Sequence, residues 1–408
     1  MGNDKLASPS ANSKKTYFAI LLLGLISLMG DVVYEGSRGL VPDYLGFLGA
    51  TSVVVGLIGG FGDFLGYALR LVSGFLSDMT HAYWVFIFVG YGLIVSIPLL
   101  GFSYGLELAV LLVLLERMGK ALRSPSRDAV LSVVSKDIGA GKAFGLHELL
   151  DQVGAVIGPS IVAFVMFSTA NNYHYAFGYL LIPFLLMLVF LVYTYRKIGS
   201  KPLEVPAKIG DQKERIGKPF YIYTFAVFMN TVGLIPYVLI LFKVSEIVRP
   251  LNQDWIVPLI YVLIQGVDAP AALLSGYGFD RYGMKLLIAP FLLSVVAPLL
   301  AMSGSGLVLL AVAATFFGLV LGMQESIYRA AVSKLTPLSS RGTAYGAFHT
   351  VYGVGLVIAG AVFGLLIQFG LSFYVTVAYV LAVQIVAVLL LLKAATSKNA
   401  YAIDQPQR

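Results

Sequence analysis

The chain has no cysteine, which excludes disulfides, thiolate metal sites and cysteine nucleophiles and leaves cysteine usage silent about redox compartment. Histidine is scarce, with four residues in 408, so a metal centre has little to build on. Charge is scarce too: 12% of residues are Asp, Glu, Lys or Arg, against roughly 25% in ordinary soluble domains. No HExxH, GxSxG or histidine cluster occurs, so the chain is expected not to be an enzyme, to hold no metal and to need no cofactor. Nucleic acid is excluded as a partner, because the net charge of +7 is not gathered in any soluble basic domain. No cleaved signal peptide is expected, since the polar residues Met1 to Ser13 run into an apolar stretch far longer than a signal core.

What is present is apolar surface in excess of any soluble fold: 58% hydrophobic residues and a mean hydropathy of +0.86. A transmembrane helix takes about 20 apolar residues, so twelve of them fit a chain of this length with short loops. Apolar stretches fall at 16–41, 51–77, 82–102, 106–127, 142–168, 173–196, 219–243, 254–277, 284–303, 305–328, 341–369 and 371–394. The expected organisation is a tail at 1–13, a six-helix bundle at 14–196, a polar linker at 197–218, a second six-helix bundle at 219–394 and a tail at 395–408. Basic loops stay cytoplasmic. With both termini inside, Arg38, Lys243 and Arg249 fall outside and Arg70, Arg117 and Lys120 fall within the membrane, while the other basic residues sit on the cytoplasmic side. That predicts a multi-pass protein of the cell (inner) membrane with cytoplasmic N and C termini, in contact with lipid and working as a monomer.

The two halves repeat one another. Gly74-Phe75-Leu76-Ser77-Asp78 returns as Gly276-Tyr277-Gly278-Phe279-Asp280 at an offset of 202 residues, and Arg127 returns as Arg329 at the same offset. Gly141 to Gly145 followed by Gly154 returns as Gly342 to Gly346 followed by Gly355 at an offset of 201. Three matches in order at offsets of 201 to 202, a slip that a one-residue loop deletion explains, indicate a duplication.

These residues resemble the major facilitator superfamily over the whole chain. Its loop signature G-x-x-x-D-R-x-G is half present as Gly74 and Asp78, with Met79 in place of the arginine, and fuller as Gly276, Asp280, Arg281 and Gly283. The resemblance implies a cytoplasmic gate in which Asp78 meets Arg127 and Asp280 meets Arg329 in the outward-facing state; a static loop pair is the alternative. Gly145, Gly154, Gly158 and Pro159 look like the glycine-proline signature of proton-driven antiporters in that superfamily, without its closing glycines. As a helix-packing device the motif follows from spacing alone, because glycines on one face let helices approach closely. The fold implied is all-α and integral to the membrane, with twelve transmembrane helices in two pseudo-symmetric six-helix bundles.

Ionisable residues at membrane depth are costly and mark function or structural pairing. The candidates for proton coupling are Asp31, Asp63, Glu116, Asp151 and Asp268; those for charge partners or substrate binding are Arg70, Arg117, Lys120, Asn230 and Gln265. Asp31 and Glu35 share a helix face at a spacing of four, and Asp63 and Arg70 nearly share one at seven. Glu35 and Glu107 fall nearer the outer rim, where water is expected to reach them, and His147 and His349 read as polar packing. Desolvation favours the neutral form of a carboxylate, which lets one take up and release a proton in each cycle unless an arginine pins it ionised.

The resulting expectation is a secondary active transporter working by alternating access, with proton-coupled export of a small organic compound. The alternative is uptake or exchange of an organic anion bound by Arg70, Arg117 and Lys120. A non-transporting membrane sensor or scaffold is the remote reading. Neither substrate nor direction follows from the residues.

Overall fold

The computed structural model describes residues 11–135, 139–199, 214–304 and 306–396. Residues 1–10 and 397–408 of the expected tails and 200–213 of the expected linker lie outside them. Among the described residues the chain is helical throughout and contains no strand, as lipid demands of a backbone that must satisfy its own hydrogen bonds. The rods are α1 Ala11–Phe47, α2 Ser52–Thr80, α3 Tyr83–Phe102, α4 Leu106–Val134, α5 Ala140–Ser168 and α6 Tyr173–Gly199 in the first half. The second half holds α7 Lys218–Leu251, α8 Ile256–Tyr282, α9 at 283–303, α10 Leu307–Leu335, α11 Arg341–Gln368 and α12 Phe373–Thr396.

Ten described stretches are long and apolar enough to cross a membrane. One of them, Ile256–Ser303, is longer than a single crossing requires and turns at Gly283, whose φ of +60° suits a residue without a Cβ; it contributes both α8 and α9. The charged helix α4 is not among the ten, because it carries Glu107, Glu116, Arg117, Lys120, Arg123, Arg127 and Asp128. Its burial between other rods compensates for its composition.

Two rods are irregular where they reach the interior. The α7 helix breaks at Gly233 to Pro236, where Pro236 cannot continue the hydrogen-bond ladder, and α10 widens to a π-helical turn over Gln324–Tyr328.

Close packing across the bundle runs through glycine. Gly154 and Gly158 of α5 press on the backbone of α1, Gly158 meeting Gly36, where an added Cβ would come 3.1 Å from the Gly158 carbonyl carbon. Gly145, also of the expected packing set, is exposed, and a Cβ added there would meet nothing within 4 Å, so only the Gly154-Gly158-Pro159 part of the motif packs. Between the halves, α2 and α11 meet at Gly56 and Gly360, each pressed on the other's carbonyl oxygen.

The face bearing Ala11 and Thr396 is termed the terminal face. A continuous apolar cluster joins both halves toward the opposite face, where Leu40, Val41 and Tyr44 of α1 belong with Val238, Phe242 and Tyr261. Nearer the terminal face the second half has a separate cluster around Phe220, Tyr223, Phe291 and Leu391. The core therefore divides toward the terminal face.

Gly360→Val should destabilise the protein by about 1–3 kcal/mol through overpacking against Gly56. Gly178→Ala, where nothing lies within 4 Å of the new methyl, should leave it unchanged. Thermal unfolding in detergent checks both, with a drop of several degrees expected for the first alone.

Candidate functional site: a charged cavity between the halves

The space between the divided halves is a cavity of about 750 Å³. It is lined from the first half by Asp31, Glu35, Asp63, Arg70, Arg117, Lys120 and Asp151, and from the second by Gln265, Asp268, Gln324, Glu325 and Arg329. Its wall continues to Asp128, Gly145, Glu148 and His349, near the terminal ends of α4, α5 and α11, and Glu148, Glu325 and Arg329 are exposed. The cavity opens on the terminal face.

Most sequence-derived candidates converge there: Asp31, Asp63, Asp151, Asp268, Arg70, Arg117, Lys120 and Gln265 all line it. Glu116 does not. It lies one layer behind, 1% exposed, with Oε2 3.5 Å from Arg117 Nε. Arg117 spans from there to Asp63 at 3.0 Å and donates to the Tyr237 hydroxyl at 3.2 Å, so one guanidinium ties α4 to α2 and to α7 of the other half. Asn230 also stands apart. It accepts from Tyr328 at 2.8 Å and donates to Gln384 at 2.9 Å, a buried polar node that fixes α7, α10 and α12.

Glu35 differs from its expected rim position. It is 5% exposed and lines the cavity, receiving Arg38 at 2.8 Å, Lys120 at 3.5 Å and the Tyr261 hydroxyl. The physical reason is length: α1 runs to Phe47, well beyond the expected end of the apolar stretch, so Glu35 sits away from the helix end and Arg38 lies in the cavity wall rather than outside. Tyr34 was not singled out by sequence, yet three cations surround its ring: Lys120 at 4.3 Å, Arg123 at 5.0 Å and Arg38 at 5.1 Å. The α4 spacing of Lys120 and Arg123, three apart on one face, was the available signal.

At the terminal end, Arg127 pairs with Asp128 at 2.9 Å and Asp151 at 3.6 Å and donates to Ser27 at 2.8 Å. His147 Nδ1 lies 3.4 Å from the same Asp151 oxygen. Arg329 donates to the Glu325 carbonyl at 2.7 Å. Asp78 accepts from the Tyr83 hydroxyl at 3.3 Å, and Asp280 and Arg281 are exposed. Gly74 and Gly276 face Pro125 and Ser326, each six residues before the end of its helix. Arg127 and Arg329 are thus engaged inside their own halves.

The opposite face is tied shut by residues of both halves. Arg249 of α7 donates to the Asp43 carboxylate and backbone on α1, and lies 3.6 Å from Asp254. The Tyr173 hydroxyl lies 2.9 Å from Asp43 and 3.2 Å from Asp254. Beside it Asn171 donates to the Asn252 carbonyl at 2.6 Å and accepts from the Trp255 amide at 3.1 Å. Asp43 is fully buried, so its charge depends on Arg249. This latch escaped the sequence reading because its members are scattered along both halves with no motif.

Removing Arg117 by Arg117→Gln leaves Glu116 and Asp63 uncompensated and should cost about 3–5 kcal/mol; the triple variant with Asp63→Asn and Glu116→Gln should recover most of the loss in thermal unfolding. Arg249→Gln should loosen the opposite face. With Val41→Cys as a sole thiol behind the latch, labelling by a membrane-impermeant maleimide should rise about tenfold, a shift equivalent to roughly 1.4 kcal/mol.

Comparison with known proteins gives a consistent picture. The chain matches the sequence model of the Major Facilitator Superfamily over residues 18–360. It is 33% identical over 379 residues to the uncharacterized protein Rv2265 of Mycobacterium tuberculosis, covering 91% of each chain. An uncharacterized MFS-type transporter of Methanocaldococcus jannaschii is 26% identical over 375 residues, covering 90% of this chain and 92% of that one. Among solved structures, the nucleoside transporter NupG superposes with a TM-score of 0.69 at 14% identity, over 93% of this chain and 100% of that one.

Proposed function

The chain belongs to the major facilitator superfamily and is a multi-pass membrane transporter, and on that premise we propose that it exports a small organic compound in exchange for protons by alternating access. One observation carries the reading: a charged cavity at the junction of two halves, open on one face and latched on the other by Asp43, Arg249, Asp254 and Tyr173. Such a junction is where rocking of one bundle against the other exposes a fixed site first to one side and then to the other.

The topology proposed has twelve crossings, α4 among them, with the terminal face cytoplasmic because lysine and arginine concentrate there. The state seen is then inward-facing, and the Asp78 and Asp280 gates belong to the opposite state. Localisation to the cell membrane and action as a monomer complete the proposal.

Among the embedded acids, Asp63 and Glu116 are held by Arg117 and Asp151 by Arg127 and His147, which suits them to fixing helix positions. Asp31 and Asp268 line the cavity and form no ion pair among the described residues, which makes them the proton-exchanging carboxylates of the proposal. The organic-anion alternative is weakened by the same pairing: Arg117 and Lys120 already hold carboxylates, leaving Arg70 of the three.

Purified protein in liposomes, with a pH-sensitive dye inside, tests the coupling. Substrates from a small-molecule panel should move protons against their own flux, and an imposed pH gradient should drive accumulation. Asp31→Asn should lose gradient-driven accumulation by at least about tenfold yet retain substrate exchange. Flux indifferent to the gradient in the unmodified protein sinks proton coupling.

A further inference from the structure

Most cavity charges neutralise one another; those left over are two cations and two acids on the first-half wall, and two acids and one cation on the second. In the first half Glu35 holds Arg38 and Lys120, Arg117 holds Asp63 and Glu116, and Arg127 holds Asp128 and Asp151. Arg70 and Arg123 form no ion pair among the described residues. Arg123 is 2% exposed, with Nη1 unbonded and its guanidinium 5.0 Å and 4.9 Å from the rings of Tyr34 and Tyr91. Arg70 has a buried, unbonded Nε and lies 5.5 Å over Tyr67. The acids remaining on this side are Asp31, assigned above to proton exchange, and Glu148 at the open mouth.

On the second-half wall two acids are left over against the one cation Arg329. Asp268 is 2% exposed and its Oδ1 has no hydrogen-bond partner. Glu325, projected from the π-helical turn of α10, lines the cavity and its carboxylate forms no ion pair among the described residues, because Arg329 donates to its backbone instead. Tyrosines 34, 67, 261 and 352 line the space between.

A buried charge without a counter-charge is costly, as at Arg123 and Asp268, and each wall gains when one arrives there; half-buried Arg70 and exposed Glu325 add charge of the same sign beside them. A plain anion would relieve Arg70 and Arg123 but add repulsion against Asp268 and Glu325; a plain cation does the reverse. A ligand carrying both relieves both. We propose, on the basis of the carrier reading above, that the cavity takes a zwitterionic small molecule, its anionic group on Arg70 and Arg123, its cationic group on Asp268 and Glu325, and its body against the tyrosines. A proton and the ligand's cationic group then compete for Asp268, which is the mutual exclusion an exchanger needs.

The probes are 4-aminobutyrate, 6-aminohexanoate, 8-aminooctanoate and 4-(aminomethyl)benzoate, each beside its amide, which lacks the carboxylate charge, and its N-acetyl form, which lacks the ammonium. Thermal shift of the purified full chain should show at least one zwitterion raising the melting temperature by a few degrees at saturation, with both neutralised partners binding at least about tenfold more weakly. Arg70→Gln and Glu325→Gln should each abolish the shift while keeping the unliganded melting temperature. An N-acetyl form binding as well as its parent makes this a plain anion site, and an amide doing so makes it a cation site; either overturns the proposal, as does the absence of any zwitterion shift. Separate thiols at Gly145→Cys and Val41→Cys report on the two faces without ligand. Faces that exchange accessibility while no zwitterion binds overturn this proposal and keep the carrier reading; faces that never exchange overturn the carrier reading itself.

Discussion

A charge cannot be left facing hydrocarbon, and this chain places carboxylates, guanidiniums and an ammonium at the depth where hydrocarbon would surround it. Each must turn toward the inside of the bundle and find a partner or water there. Arg117 shows the outcome at its tightest, reaching Glu116 behind it, Asp63 beside it and Tyr237 in the other half. Groups of that bulk and polarity cannot be packed into a dry core like the apolar cluster that joins the halves at the opposite face. The cavity is the space they require, and the division of the core toward the terminal face follows from it.

Glycine supplies the complementary condition. Hydrophobic burial drives little association inside lipid, so helices are held by close contact and polar bonds. The α1–α5 contact at Gly36 and Gly158 and the α2–α11 contact at Gly56 and Gly360 bring backbones together in two ways: the first welds a half, the second spans the halves. The Asp43–Arg249 pair joins the halves at the opposite face, and because Asp43 is fully buried, removing Arg249 would leave an uncompensated charge there.

Much of the fold was legible in the residues because lipid imposes a simple rule: long apolar runs, short polar breaks and an internal offset of about 200 residues leave few alternatives. The site was legible in part. The convergence of Asp31, Asp63, Arg70, Lys120 and Asp268 could be anticipated, since charges at one depth have only the interior to face. Asn230 and Glu35 could not be placed by that rule. Depth along a helix does not say which neighbour a side chain meets, and the extension of α1 to Phe47 shifted Glu35 from the rim into the interior.

The sequence by itself determined an all-helical membrane protein in two repeated halves, and which residues would be unable to face lipid, because hydropathy and period act locally along each rod. The pairing of those residues was decided only by tertiary structure. Whether Asp63 meets Arg70 seven residues along its own helix or Arg117 from another depends on how rods are rotated and spaced, and the contact went to Arg117. The same holds for the latch, assembled from Asp43, Tyr173, Arg249 and Asp254, and for the charges left unpaired on the two walls. Those charges are a remainder after all pairings are made, and a remainder is a property of the assembled whole.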